Sequence, residues 1–256
     1  MLKKLVAALL AIGVVACGGA VAQSAYSLKT DPVSVADVKS VHVDSSVADV
    51  KFAKSNDGTS WAELVSEQSL EQNSLTSAVS DDGETLTYTL VYVQPIGIAV
   101  NTKNRTLTIY LPAQAYDELV LKVGVGNVWL SGFGATFGTI SMDVGVGNVV
   151  FDNGGMVVST LSLTVGTGNA DAKIEKLGFG CDINVGVGNA GVSFGDMVDS
   201  ADIHVETGVG DMHTPATWPG KPSRSFIGGS YDGKIGDALY SLNVKTGVGN
   251  VAITEK

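Results

Sequence analysis

Val123-Gly124-Val125-Gly126-Asn127 recurs as Val144-Gly145-Val146-Gly147-Asn148, Val165-Gly166-Thr167-Gly168-Asn169 and Val185-Gly186-Val187-Gly188-Asn189. Two further copies follow, Thr207-Gly208-Val209-Gly210-Asp211 and Thr246-Gly247-Val248-Gly249-Asn250. The first glycines are spaced by 21, 21, 20, 22 and 39 residues. The last step is close to two periods, and Ile227-Gly228-Gly229-Ser230 near its middle reads as a degenerate copy. Asp44-Ser45-Ser46-Val47-Ala48-Asp49-Val50 reads as a first, worn one. A fixed period of this size is the signature of stacked repeats.

The residues before each turn alternate. Counting back from the first glycine, the odd positions are Leu119/Leu121/Val123, Ile140/Met142/Val144, Leu161/Leu163/Val165, Cys181/Ile183/Val185, Ile203/Val205/Thr207 and Leu242/Val244/Thr246. The positions between are mostly polar, which is the pattern of a strand with one buried face. Alternation resumes after the turn, as in Val128/Leu130 and Val149/Phe151. A unit of two short strands cannot bury its own apolar face, whereas stacked units share one core. The expected fold is all-β, a right-handed parallel β-helix or β-solenoid with 20–22-residue coils. Stacked corners bring backbones close together, which calls for glycine, some of it at positive φ. Stacked asparagines form an amide ladder with a rise of roughly 4.8 Å.

Residues 37–118 are β-rich without the regular period. Thr85–Val93 and Arg105–Leu111 alternate well, and Asn101–Asn104 between them reads as a turn. This half is expected to cap the N-terminal end of the stack, since an open strand edge needs cover. Residues 23–36 read as a linker, 37–256 as the solenoid domain, 119–256 as its repeats, and 213–225, with Pro215, Pro219 and Pro222, as a surface loop.

The chain opens with Lys3 and Lys4 followed by the uncharged run Leu5–Ala16. That run is too short to span a bilayer as a helix and describes a secretory signal peptide. Ala20-Val21-Ala22 predicts cleavage after residue 22, giving a soluble exported protein. Val14-Val15-Ala16-Cys17 predicts instead a lipoprotein signal ending at residue 16, with Cys17 lipidated as the only tie to a membrane. Losing Lys3 and Lys4 takes the formal charge from −10 to −12, a balance that argues against a nucleic-acid partner. Beyond Cys17 only Cys181 remains, so no disulfide holds the exported chain.

The segment Leu107-Thr108-Ile109-Tyr110-Leu111-Pro112 leading into Glu118–Val128, the recurring G-x-G-[ND] turns and the closing Leu242–Ile253 resemble the bacterial putative-adhesin family. Its members are domain-of-unknown-function proteins with β-strand repeats. The resemblance spans roughly residues 37–256. It implies an exported protein of parallel β-helix type and brings no catalytic residues with it.

Glycine turns followed by strands do not fit a dinucleotide fingerprint, which needs a helix there. No nucleophile elbow and no metal-spaced Cys/His set occurs in the sequence, so no cofactor, catalytic residue or metal site is expected. One polar cluster stands out: His204 and Glu206 point out of one strand, with Asp182 and Asn184 expected at matching positions one repeat below. Solvated outward positions explain such a cluster as well as a ligand does. Lys122 and Asp143 read as a surface ion pair. Outward Trp129 suits a sugar platform or a partner contact, and inward Cys181 suits the core. The leading expectation is a non-enzymatic secreted or cell-envelope protein that presents this surface to a protein or glycan partner. The rivals are a polysaccharide-lyase-like enzyme, for which the outward columns offer as bases only Lys122 and Lys245, far apart in the stack, and a purely structural envelope module.

Overall fold

The computed structural model describes residues 25–93, 105–175, 178–196 and 198–255. The signal segment, Cys17 and the expected turn at Asn101–Asn104 lie outside the described residues. Within them the alternating segments form strands, and no helix occurs.

The first half comprises β1 (Tyr26–Lys29), β2 (Val33–Ser34), β3 (Ser40–Val47), β4 (Asp49–Ser55), β5 (Thr59–Ser66), β6 (Asn73–Val79), β7 (Thr85–Tyr92) and β8 (Arg105–Pro112). The repeats follow as strand pairs about each glycine turn. These are β9 (Ala115–Val125) with β10 (Val128–Ser131), β11 (Thr136–Val146) with β12 (Val149–Asp152), and β13 (Val157–Thr167) with β14 (Ala170–Ile174). Next come β15 (Gly180–Val187) with β16 (Ala190–Phe194), and β17 (Ala201–Val209) with β18 (Met212–His213). After β19 (Gly220–Arg224) and β20 (Gly229–Ile235), β21 (Ser241–Val248) and β22 (Val251–Glu255) end the chain. Two expectations are corrected here. Residues 23–36 are not merely a linker, because β1 and β2 pair antiparallel with β5. The segment 213–225 is not all loop, because β19 pairs antiparallel with β20.

The strands form two eleven-stranded sheets. One runs β1-β5-β8-β4-β10-β12-β14-β16-β22-β18, with β2 on β5; the other runs β19-β20-β17-β21-β15-β13-β11-β9-β3-β7-β6. Each repeat places one strand in each sheet, parallel and in register with its neighbour. Both sheets are mixed and open. Antiparallel strands cover the N-terminal end through β1, β5 and β6 and the far end through β19 and β20. The worn copy is a true member of the stack, with Ser45 beside Val123, Val47 beside Val125 and Val50 beside Val128.

Stacking order departs from chain order. The last repeat lies between two earlier ones: β21 pairs parallel with β15 on one side and with β17 on the other. The cause is topological. β20 returns antiparallel on β17, so β17 must be the outermost parallel strand of its sheet, and the final repeat has to enter beneath it. The expected degenerate copy at Ile227–Ser230 is therefore not a parallel repeat. Ile227 alone imitates one, its carbonyl accepting from the Gly210 amide at 2.8 Å as Val209 accepts from Gly249 at 2.8 Å.

The inward side chains of both sheets join one hydrophobic core. Thr207 and Thr246, inward at the last strand position, satisfy their buried hydroxyls on the Gly249 carbonyl at 2.8 and 3.2 Å. At the corner the second glycine decides the fit. Gly147 has φ +152°, and a Cβ there would lie 1.9 Å from the Gly126 carbonyl oxygen of the preceding repeat. Beside it runs the asparagine ladder. Asn148 donates its backbone and side-chain N–H groups to Asn127 Oδ1 at 3.0 and 2.8 Å, Asn169 to Asn148 at 3.0 and 2.9 Å, and Asn189 to Asn169 at 3.0 and 3.0 Å. The ladder starts on Asp49, whose carboxylate accepts both N–H groups of Asn127. An acceptor-only side chain suits that first place, where an amide NH2 would have no acceptor below it.

Candidate interaction surfaces

The polar cluster expected from the sequence does not assemble. β21 separates its two halves: Asp182 and Asn184 lie beside Asn243 and Lys245, which in turn lie beside His204 and Glu206. His204 gathers different partners. Its Nδ1 is 2.7 Å from Asp232 Oδ1 on β20, its Nε2 is 3.5 Å from Glu206 Oε2, and Glu206 Oε2 is 3.8 Å from Lys245 Nζ. These side chains are largely solvated, so each pair contributes at most about 1 kcal/mol. Among the described residues no group of three or more His, Cys, Asp or Glu is placed to hold a metal ion. Lys122 and Asp143 stand side by side in register but form no ion pair. Cys181 is buried, which pushes its thiol up to about 12.

Trp129 is half-buried, and Lys51 from the neighbouring β4 places its Nζ 4.9 Å from the ring centroid. That face of the indole is covered, so Trp129 is not an open platform for a sugar ring. It does begin an outward column on the first sheet, continued by Val150, Asp171, Gly191 and Ala252. The shrinking side chains leave a shallow groove of about 360 Å³. Its floor is apolar, and its rim carries Asp171, which leans over Gly191, and Lys173, bonded to Asp152 Oδ2 at 3.1 Å. A second cavity, of about 400 Å³, opens at the far end between Val209–Met212 and Arg224–Gly229, beside a fully exposed Phe226.

Sequence reasoning missed the middle residue of the glycine turn. Val125, Val146, Thr167, Val187, Val248 and Val209 stack in that order along one corner. Val146, Val187, Val248 and Val209 are 45–51% exposed, so this corner is an apolar ridge facing solvent. The signal was present: valine fills five of six solvent-corner positions where a polar residue would fold as well.

No protein-family model matches the chain, and no curated protein matches it. Among solved structures, a chain from Clostridium sporogenes described as a "putative cell adhesion protein" aligns with a TM-score of 0.50 at 14% identity, over 91% of this chain and 100% of its own. A Bacteroides fragilis chain described as a "putative adhesin" aligns with a TM-score of 0.49 at 16% identity, over 91% and 97%. The first likeness shows a shared fold.

Proposed function

We propose that this chain is an exported, non-enzymatic adhesin-like scaffold, its repeats wound as one parallel β-helix-like coil that presents fixed columns of side chains to a partner. The alternation of each repeat between two in-register sheets supports the coil. The apolar opening run with its two small-residue cleavage sites supports export, soluble or anchored through Cys17. Among the described residues no helix is long and apolar enough to cross a membrane.

The groove carries the reading. An apolar floor suits the C–H faces of sugar rings, and carboxylates and an ammonium on the rim suit hydroxyls. An extended glycan lying across the strands of the first sheet fits both. Ala252 is exposed on that floor, so Ala252→Trp should fill the groove and leave the core untouched. On arrays of bacterial and host surface glycans, the protein is expected to bind a defined subset and Ala252→Trp to lose at least tenfold in affinity. Binding that ignores Ala252→Trp would remove the groove from the account. No binding and no turnover would leave a purely structural module. Cleavage of an acidic polysaccharide in the presence of calcium would overturn the non-enzymatic assignment.

A further inference from the structure

We infer that the valine ridge is the contact between two copies of this chain, packed side by side with their stacks antiparallel about a two-fold axis between Thr167 and Val187. The ridge from Val125 to Val209 is five strand steps, about 24 Å, long. Its exposed apolar area is on the order of 400 Å², comparable to the largest apolar patch on a typical monomer, which is often functional. The corner glycines, middle residues and asparagines of the ridge carry no charge, and Asp211 at its far end is the one charged residue among these turn positions. In a chain of net charge −10, this corner is therefore a place where a like-charged copy can approach.

The neighbouring outward column on the second sheet chooses the orientation. In stacking order it reads Lys122, Asp143, Thr164, Asn184, Lys245, Glu206, all exposed. Reversed against itself, this order sets Lys122 opposite Glu206, Asp143 opposite Lys245 and Thr164 opposite Asn184. Each of these four charges then meets its opposite, as an isologous two-fold contact requires, while Asp44, exposed beside Lys122 at the end of the column, falls opposite Ser230. A slip of one repeat opposes Lys122 to Lys245 in one direction and Asp143 to Glu206 in the other, so the register is specified as well. On the opposite flank, Asp171 meets Gly191. The charged column sets register and encounter, while the valines supply the apolar burial. The valines of two copies would bury only about 800 Å² in total, short of the roughly 1,200 Å² of a standard specific interface, so the contact depends on the flanking charge pairs and is a weak, concentration-dependent one.

Sedimentation equilibrium of the full chain in 50 mM salt is expected to show a concentration-dependent dimer, weakened by 500 mM salt. Val146→Asp should render it monomeric. Lys122→Glu and Glu206→Lys should each weaken the dimer at least tenfold, and mixing the two variants should restore it. In one copy these residues are five strands apart, about 24 Å, so restoration on mixing reports pairing between copies. A chain monomeric at every concentration, a dimer indifferent to Val146→Asp, or variants that fail to rescue one another would each overturn the inference. The groove is read by glycan binding and the ridge by mass, so either can fail without the other.

Discussion

Replacing Gly188 with alanine is expected to destabilise the protein by about 3–5 kcal/mol, lowering the thermal midpoint by roughly 10 °C. Gly188 sits mid-stack at φ +143°, a backbone conformation that L side chains resist, and its Cβ would lie 1.7 Å from the Gly168 carbonyl oxygen. The clash is with backbone, so no rotamer relieves it. Either the repeat moves away from its neighbour, losing the Gly168 N–H bond to Val187 O at 2.9 Å, or the corner distorts. Val187→Ala, one residue earlier on the exposed ridge, should change stability by less than about 0.5 kcal/mol. Calorimetry of the two variants separates a corner that demands glycine from a loop that merely contains it, and equal midpoints would contradict the close stacking.

Trp218→Ala should cost about 3–5 kcal/mol locally, with the loss confined to the far end because each repeat touches only its neighbours. Trp218 is buried against Tyr231, ring centroids 6.1 Å apart, and its indole N–H donates to Glu255 Oε2 at 2.9 Å. Burial alone would push the Glu255 carboxyl up; bonds from Trp218, Thr217 and the Val198 amide outweigh it and hold the group below its ordinary value. A depressed carboxyl contributes stability that is present above the unfolded value, near 4.3, and is lost as pH falls through the folded value. Hydrogen exchange should therefore show β17, β18 and β20 opening first on acidification. In Trp218→Ala they should be open already at neutral pH, with β9 to β13 still protected. Uniform loss of protection along the stack would contradict a separate cap.

The repeat was legible because its physics is local. A backbone that must pass within van der Waals distance of its neighbour calls for glycine, and a ladder of amides calls for asparagine along its run and tolerates aspartate at its two ends, Asp49 and Asp211. The worn copy at Asp44–Val50 carries Ser46 and Ala48 in the glycine places and is placed by its alternation and by Asp49 at the ladder position. Stacking order was not legible, because Leu242–Ile253 carries the same columns as every other repeat and pairs equally well with any of them. What decides its place is the antiparallel return of β20 on β17, set by residues 213–235, where the pattern is weakest. The misplaced cluster of Asp182, Asn184, His204 and Glu206 followed from that one unknown. The covering of Trp129 by Lys51 likewise depends on β4 meeting β10, with Lys51 and Trp129 78 positions apart in the chain. The ridge was legible in principle, as valines at corners where only solvent waits.

The insertion of the last repeat between two earlier ones is tested most directly by cysteine pairing. Cys181, buried with its thiol pushed up to about 12, stays silent. Asn184→Cys with Lys245→Cys places the two thiols on directly paired positions, and mild oxidation of the dilute protein should close an intramolecular disulfide. Asn184→Cys with Glu206→Cys places them two strands apart, roughly 10 Å, beyond the reach of a disulfide, and should leave both thiols free. Closure of the 184–206 pair with the 184–245 pair open would show the repeats stacked in chain order and contradict the account.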